Sequence, residues 1–556
     1  MTAGPPTRGW AGLPEPGEAE LPTGAGMRRW VRRTSSRHAT AGPMELFGDV
    51  YIALFGFAMA SAMALSLSRS AGQGLGAGLG LRTGRPGTSA GPSSLPATGV
   101  SLGGGWVAVL LAAAALAALA GLAARLGPTS VSAPQAGWLL PLPVGRRSLL
   151  RTAALRWPAL AAVLGAPCGA ALALALGAEV SAAVLLAAVG LGAAAAGGLV
   201  LLVALVQPDA RAHRLTRLVF DAALAAVPAA GLVLAVTGAP THSPTGTLVP
   251  VAAAAALLAA VLALVVERRS AQVPDAALRA RGAVGGEALV AVLSLDVRAL
   301  GRALAEESDR ARRKRSWAFA WLARVPLHLR GPLALVTSDA VLVLRTPRHL
   351  GQIVAAACLP VLALTLQGPP RWTVALTALA SAFAAGSAAA EGSRRAQYNP
   401  VLDGLLPLGE TQVRRARLVV PFVGVAGWAL VAFAAVAWRY GGGAPWLLLG
   451  LLAAPAWAAG AVRAAYRTMP NFTLPMVASP MGALPTGTVG LILKGPDVAL
   501  GFTLPVLLAL VNRSVAPQLL ILQAGLSWAA VAIVGRAPRL KPPAGPGVAA
   551  SPPTDG

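Results

Sequence analysis

The chain has 556 residues, of which 56% are hydrophobic, 12% charged and 5% aromatic. A soluble protein carries about 25% charged residues, so this chain has too little polar surface to stay dissolved and is too long to fold around one core. Most of it must lie in lipid, and its net charge of +25 belongs to a small polar minority. Cys168 and Cys358 each sit inside an apolar run, which excludes a disulfide framework, a CxxC redox motif and a cysteine zinc site.

Residues 1–43 are polar, rich in Gly, Pro and Arg, and contain no signal peptide. They read as a disordered basic tail. A bilayer core about 30 Å thick takes roughly 20 apolar helical residues. Runs of that kind predict spans at 46–68, 104–124, 157–177, 180–206, 218–237 and 248–266, and again at 349–367, 372–390, 418–438, 444–462, 497–511 and 517–535. Backbone groups in lipid must bond internally, so these runs should be helices; the alternation of membrane β-strands is absent. The expected fold is an all-α polytopic membrane protein of twelve spans.

Charge orients this map. With the N-terminus inside, the outer loops hold only Arg69, Arg82, Arg85, Arg371, Arg439 and Arg513, six of the 46 basic residues. Both termini are then cytoplasmic and the protein sits in the inner (plasma) membrane. Residues 69–103 form a Gly/Ser/Pro-rich outer loop. Residues 267–348 carry 15 of the 46 basic residues. Within them Glu287–Trp317 has helical periodicity and reads as an amphipathic linker. Residues 536–556 form a second disordered tail.

The two groups of six spans repeat each other. Leu139-Leu140-Pro141-Leu142 precedes Arg146, Arg147, Arg151 and Pro158; Leu405-Leu406-Pro407-Leu408 precedes Arg414, Arg415, Arg417 and Pro421. Asp221 lies seven residues before Pro228, and Asp497 eight before Pro505; Asp49 and Asp339 precede the two first spans. The predicted organisation is a tail (1–43), a first half (44–266), a linker (267–338), a second half (339–535) and a tail (536–556).

Each LLPL…Arg segment should lie between spans two and three of its half, as a short helix along the membrane surface. One reading is an interfacial anchor whose arginines meet anionic lipid heads. The other is a docking helix that carries motion from a cytoplasmic partner into the flanking spans; its recurrence in both halves favours that. Asp221 and Asp497 suit positive helix N-termini, or else form gating pairs with Arg217 and Lys494. Arg463 and Arg467 read as snorkelling anchors. Gly165-Ala166-Pro167-Cys168-Gly169 and Gly190–Gly198 would let helices approach closely, although an Ala/Gly-rich codon bias gives the same composition. Pro167, Pro228, Pro360, Pro455 and Pro505 should kink their spans.

Catalytic motifs are lacking. None of Lys314, Lys494 and Lys541 lies in a P-loop, and the five histidines include no HExxH. A GxSxG match at Gly87–Gly91 falls in the outer loop, without the strand and helix a nucleophile elbow needs. No enzyme activity, cofactor, metal or nucleic-acid partner is expected; the arginines follow membrane topology.

The segment WLLPLPVGRRSLLRTAALRWP resembles the loop between spans two and three in permeases of the second type of ABC exporter. Thr337–Leu350 is similar to the elbow helix before the first span of that family. The segments NPVLDGLLPL and SPMGALPTG…KGPDVAL also resemble actinobacterial integral-membrane permease-like proteins with two fused six-span halves. The resemblance implies a permease coupled to a separate cytoplasmic ATP-binding subunit through Leu139–Trp157 and Gly404–Arg417, moving a cargo the sequence does not name. Here both halves lie on one chain, where the exporter family usually pairs two. A secondary transporter is the first rival, weakened by the lack of mid-membrane carboxylates. A membrane scaffold or assembly protein is the second. Lipids are partners on every reading.

Overall fold

The computed structural model describes residues 102–138, 140–141, 146–176, 181–238, 247–293, 320–366, 371–398, 405–467, 476–479, 482–485 and 493–536, with residues 26, 29–30, 33–34, 100, 401 and 403. The expected span at 46–68, most of the 69–103 loop, most of Glu287–Trp317 and nearly all of both tails lie outside the described residues.

The described chain is almost entirely helical. In order it forms α1 (Gly104–Leu126), α2 (Ala133–Trp138), α3 (Arg146–Ala175), α4 (Ala182–Val206), α5 (Ala210–Thr237), α6 (Leu248–Arg269) and α7 (Asp275–Leu293). Then come α8 (Leu327–Leu344), α9 (Pro347–Thr365), α10 (Arg371–Ala389), α11 (Glu391–Tyr398), α12 (Glu410–Tyr440) and α13 (Ala444–Ala465). A hairpin, β1 (Met476–Ser479) with β2 (Gly482–Pro485), precedes α14 (Pro496–Gly501), α15 (Leu504–Asn512) and α16 (Pro517–Gly535). Eleven of these helices are long and apolar enough to cross a bilayer, so the chain is a multi-pass α-helical membrane protein.

Ten of the twelve expected spans are continuous helices: α1, α3–α6, α9, α10, α12, α13 and α16. The expected span at 497–511 is not; it is α14 and α15, broken at Phe502–Thr503. Pro505 has no N–H to offer Gly501 O, the Thr503 N–H turns to Leu500 O at 3.3 Å while its hydroxyl takes Ala499 O, and the Gln523 amide of α16 donates to Phe502 O at 2.9 Å. Such a break persists in a membrane only where neighbours satisfy the freed groups. The eleventh long helix, α8, meets the length criterion but touches one end of the bundle along its whole length. Gly331 packs on Leu408, just ahead of α12; Asp339 bonds Arg417 in the second turn of α12; and Pro347 then opens α9 at that same end. Thus α8 lies across the bundle end.

That end is basic. From Leu102 onward, only Arg371, Arg439 and Arg513 of the described basic residues belong to the other end. The first long helices pack as α1 on α4 and α5, α3 on α4, and α4 on α6. Later ones pack as α10 on α13 and α15, α12 on α13, and α13 on α16. The two sets meet where α9 lies along α5. Gly231 of α5 faces Leu110 and Leu362, and at the far end Leu102 N donates to Thr365 O at 2.8 Å.

The sets fill their centres differently. On α3, Gly165 and Gly169 face Gly192 of α4 so closely that a Cβ on any of the three collides with the opposing backbone. This is small-residue packing, which lipid-embedded helices use in place of a hydrophobic drive. The later set instead buries Trp428, Phe433 and Trp457, with the two indoles edge-on and 5.2 Å apart, and Trp428 Nε1 donating to Ala356 O at 3.1 Å. Gly192→Val should therefore cost about 3 kcal/mol through overpacking. Gly190→Val, two residues away in open space, should leave thermal unfolding in detergent nearly unchanged. Equal melting of the two variants would contradict the packing.

Candidate functional site

Charged side chains at the basic end organise into three groups, which tie helix ends to one another and to the loops between them. The most buried centres on Arg417. Its Nη1 donates to Asp339 of α8 at 3.0 and 3.2 Å, and its Nη2 to Asp403 at 2.6 Å. Both Arg417 and Asp339 are almost fully buried. Gly392 of α11 backs directly onto the Asp339 carboxylate, leaving no room for a Cβ. Arg414 stacks 4.4 Å from the Tyr466 ring centroid. Burial pushes the Tyr466 phenol up to about 12, so it stays protonated; its hydroxyl and Arg417 Nε have no hydrogen-bond partner among the described residues. Here α8, α11, α12 and the end of α13 are knotted around one guanidinium.

The second group belongs to the earlier helices. Arg147 and Arg151, in the first turns of α3, reach Glu267 at the end of α6 at 3.5 and 3.4 Å, while their own side chains stay more than half exposed. Gln207 clamps the turn after α1: its Nε2 donates to Thr129 O at 2.6 Å and its Oε1 accepts from Thr129 N at 3.0 Å. Then α7 closes over this turn, with Arg281 donating to Arg125 O at 3.3 Å. The third group is two carboxylate–arginine pairs. Arg125 Nη2 meets Asp221 at 2.5 and 2.6 Å, and Arg463 meets Asp497 at 3.0 Å.

These contacts place the described residues of the site expected from the sequence. Pro141 and Pro407 sit in exposed turns. Arg146 opens α3; Arg147, Arg151 and Arg415 point outward, and Arg414 is half-buried. Arg417 faces inward and holds the loop together. The expected separate surface helices are replaced: nothing interrupts the chain from Arg146 through Pro158 or from Glu410 through Pro421, so the arginines form the first turns of the long helices α3 and α12. The short helices of these loops are α2 and α11, upstream of LLPL. Asp221 caps nothing. Asp209 accepts from Arg211 N and starts α5 eleven residues earlier than Asp221, and Asp221 pairs with Arg125 rather than Arg217. Asp497 accepts from Gly495 N and Val498 N and pairs with Arg463. Among the described residues Lys494 contributes its carbonyl, to Arg467 Nε at 2.7 Å.

Sequence reasoning missed Arg125, Glu267, Asp403 and Tyr466. Each is a polar residue close to the end of an apolar run, the one signal that could have marked it. No three His, Cys, Asp or Glu side chains among the described residues form a metal-holding group.

The pattern of one known family fits residues 102–475, from the start of α1 to just beyond α13. The chain belongs to DUF6297, a family of unknown function. The DUF6297 match takes in the α5–α9 contact and all of the Arg417 knot. No curated protein and no solved structure matches the chain.

Removing one partner of a buried ion pair strands the other charge, at a cost of about 3–5 kcal/mol. Arg417→Ala should lose stability on that scale. Arg147→Ala breaks an exposed pair and should cost under about 1 kcal/mol. Melting temperatures in one detergent compare them directly, and equal losses would contradict the Arg417 assignment.

Proposed function

We propose that the chain is the membrane-spanning permease of an exporter: two six-span halves on one polypeptide, driven by a separate ATP-binding subunit bound at the basic, cytoplasmic end. The observation that carries this reading is the recurrence of one packing order. The pairs α1–α5, α1–α4, α3–α4 and α4–α6 have counterparts in α10–α15, α10–α13, α12–α13 and α13–α16. Arg151 and Arg415 also take corresponding places, each the sixth residue of its helix and each against the end of the last helix in its set. Arg151 meets Glu267, and Arg415 meets Gly535. In this reading α8 is the elbow helix of the second half, lying in the membrane surface and bonded to α12 through Asp339. The turns at Pro141 and Pro407 are the levers, because each is continuous with a long helix and a push on it is carried into the bundle.

Motion then follows from the contact between the halves. It consists mainly of α9 on α5, where Leu362 packs on Gly231 beside Leu110 of α1 and Leu102 N bonds Thr365 O, and about this contact the halves would tilt as bodies in the manner of alternating access between repeats. The chain's own residues transmit the motion and need no chemistry.

A second reading, an ion-coupled secondary transporter, draws on the broken span α14–α15, since discontinuous helices mark substrate sites in such proteins. Against it, Asp221, Glu267, Asp339, Asp403 and Asp497 all pair with arginines at the basic end. None is placed to carry a proton through the middle.

The full-length tagged chain, extracted in mild detergent from cells that make it naturally, should co-purify with a P-loop protein, and the complex should hydrolyse ATP. Transport driven by a proton gradient with no such protein bound would overturn the exporter reading in favour of the second.

A further inference from the structure

The two arginine-bearing loops at the basic end are electrostatically unlike. Residues 127–157 contain Arg146, Arg147, Arg151 and Arg156 and no Asp or Glu. Residues 390–417 contain five arginines together with Glu391, Asp403 and Glu410. There Arg417 is consumed by Asp339 and Asp403, and Arg394 and Arg395 both reach Glu391. In the first loop Arg147 and Arg151 share one carboxylate, Glu267 of α6, and stay more than half exposed, whereas the second loop buries Arg417 between two carboxylates.

Shape divides them in the same way. Over the second loop lies α8, with Gly331 on Leu408 and Asp339 on Gly392. Beside the first loop a groove of about 400 Å³ stands open, lined by Ala136, Gly137, Pro141 and Arg279. Trp138, next to those lining residues, is 80% exposed. Trp and Arg are enriched among the few residues that dominate protein contacts, and a cationic surface selects an acidic partner and speeds its encounter. A shallow open groove with Arg279 in its lining and Trp138 beside it offers a protein segment both an apolar and a cationic contact, whereas lipid heads need only a flat basic surface.

We propose that the ATP-binding subunit docks unequally: an acidic surface of that subunit, led by an apolar side chain, seats in the groove beside Trp138, while the second loop serves as an internal strut. This rests on the exporter reading and refines where its partner binds.

Photocrosslinking tests it. Benzoylphenylalanine replaces Trp138 in one full-length variant and Leu405 in another; Leu405 is the control because it is nearly as exposed, at 76%. Each variant is irradiated in cells that naturally make the chain, and adducts are identified by mass spectrometry. Position 138 should join a P-loop protein with about tenfold greater yield than position 405, and Arg279→Glu should cut the yield at 138 about fivefold. Equal yields, a higher yield at 405, or no adduct at 138 overturn the inference. So do adducts from 138 to lipid, to a second copy, or to another segment of this chain. If the P-loop protein still co-purifies in those cases, the exporter reading stands without unequal docking. If no P-loop protein co-purifies with the natural chain, the exporter reading falls and takes this inference with it.

Discussion

Hydrocarbon tolerates neither a bare charge nor an unbonded peptide group, and most features of this molecule follow from that exclusion. Backbone groups retreat into helices, and the charged residues collect where the helices end. They collect at one end: the described span ends there carry Arg125, Arg147, Arg217, Arg269, Arg417 and Arg463, against Arg371, Arg439 and Arg513 at the other. Once gathered, these arginines need partners, and the few carboxylates of the chain are placed among them. Asp221, Glu267, Asp339, Asp403 and Asp497 each hold an arginine. The loops are shaped by those pairs more than by turn chemistry. Gly392, for instance, is required because the Asp339 carboxylate leaves no space for a side chain.

Within the bundle two solutions to the same packing problem stand side by side. Helices α3 and α4 reach close contact by deleting side chains at Gly165, Gly169 and Gly192. Helices α12 and α13 keep their distance and fill it with Trp428, Phe433 and Trp457. Both are compatible with one helix order, because the order depends on which faces are apolar and not on how large the contacting groups are. The glycine contact leaves little freedom to slide. The break at Phe502–Thr503 is another matter: the interrupted helix is held by Gln523 of α16, which also donates to Ser527, and Ser527 in turn donates to Leu452 O on α13.

Length and hydropathy made the spans legible in the sequence, since twenty apolar residues have few other uses. The close approach of α3 and α4 could be suspected from the glycines, but composition alone could not separate it from codon bias. The broken span was not legible. Its run is as apolar as its neighbours, and the residue that stabilises the break, Gln523, lies on another helix. Helix starts were missed by up to eleven residues: hydropathy sees where a helix enters lipid, while α3, α5 and α12 begin in the polar layer outside it, at Arg146, Ala210 and Glu410. The roles of the arginines were the least legible. Arg414, Arg415 and Arg417 look alike in a row, yet one stacks on Tyr466, one faces outward and one is buried between two carboxylates. Only the phase of α12 and the reach of α8 distinguish them.

The sorting of charge to a single end, which the exporter reading turns to the cytoplasm, is the claim on which the arrangement depends, and sided labelling tests it most directly. In a chain with Cys168 and Cys358 replaced by Ser, single cysteines are placed at Arg269, exposed at the basic end, and at Ser514, exposed between α15 and α16 at the other. A membrane-impermeant maleimide added to intact cells should label position 514 and leave 269 untouched until the membrane is opened. Labelling of 269 from outside, or of both positions alike, would contradict it.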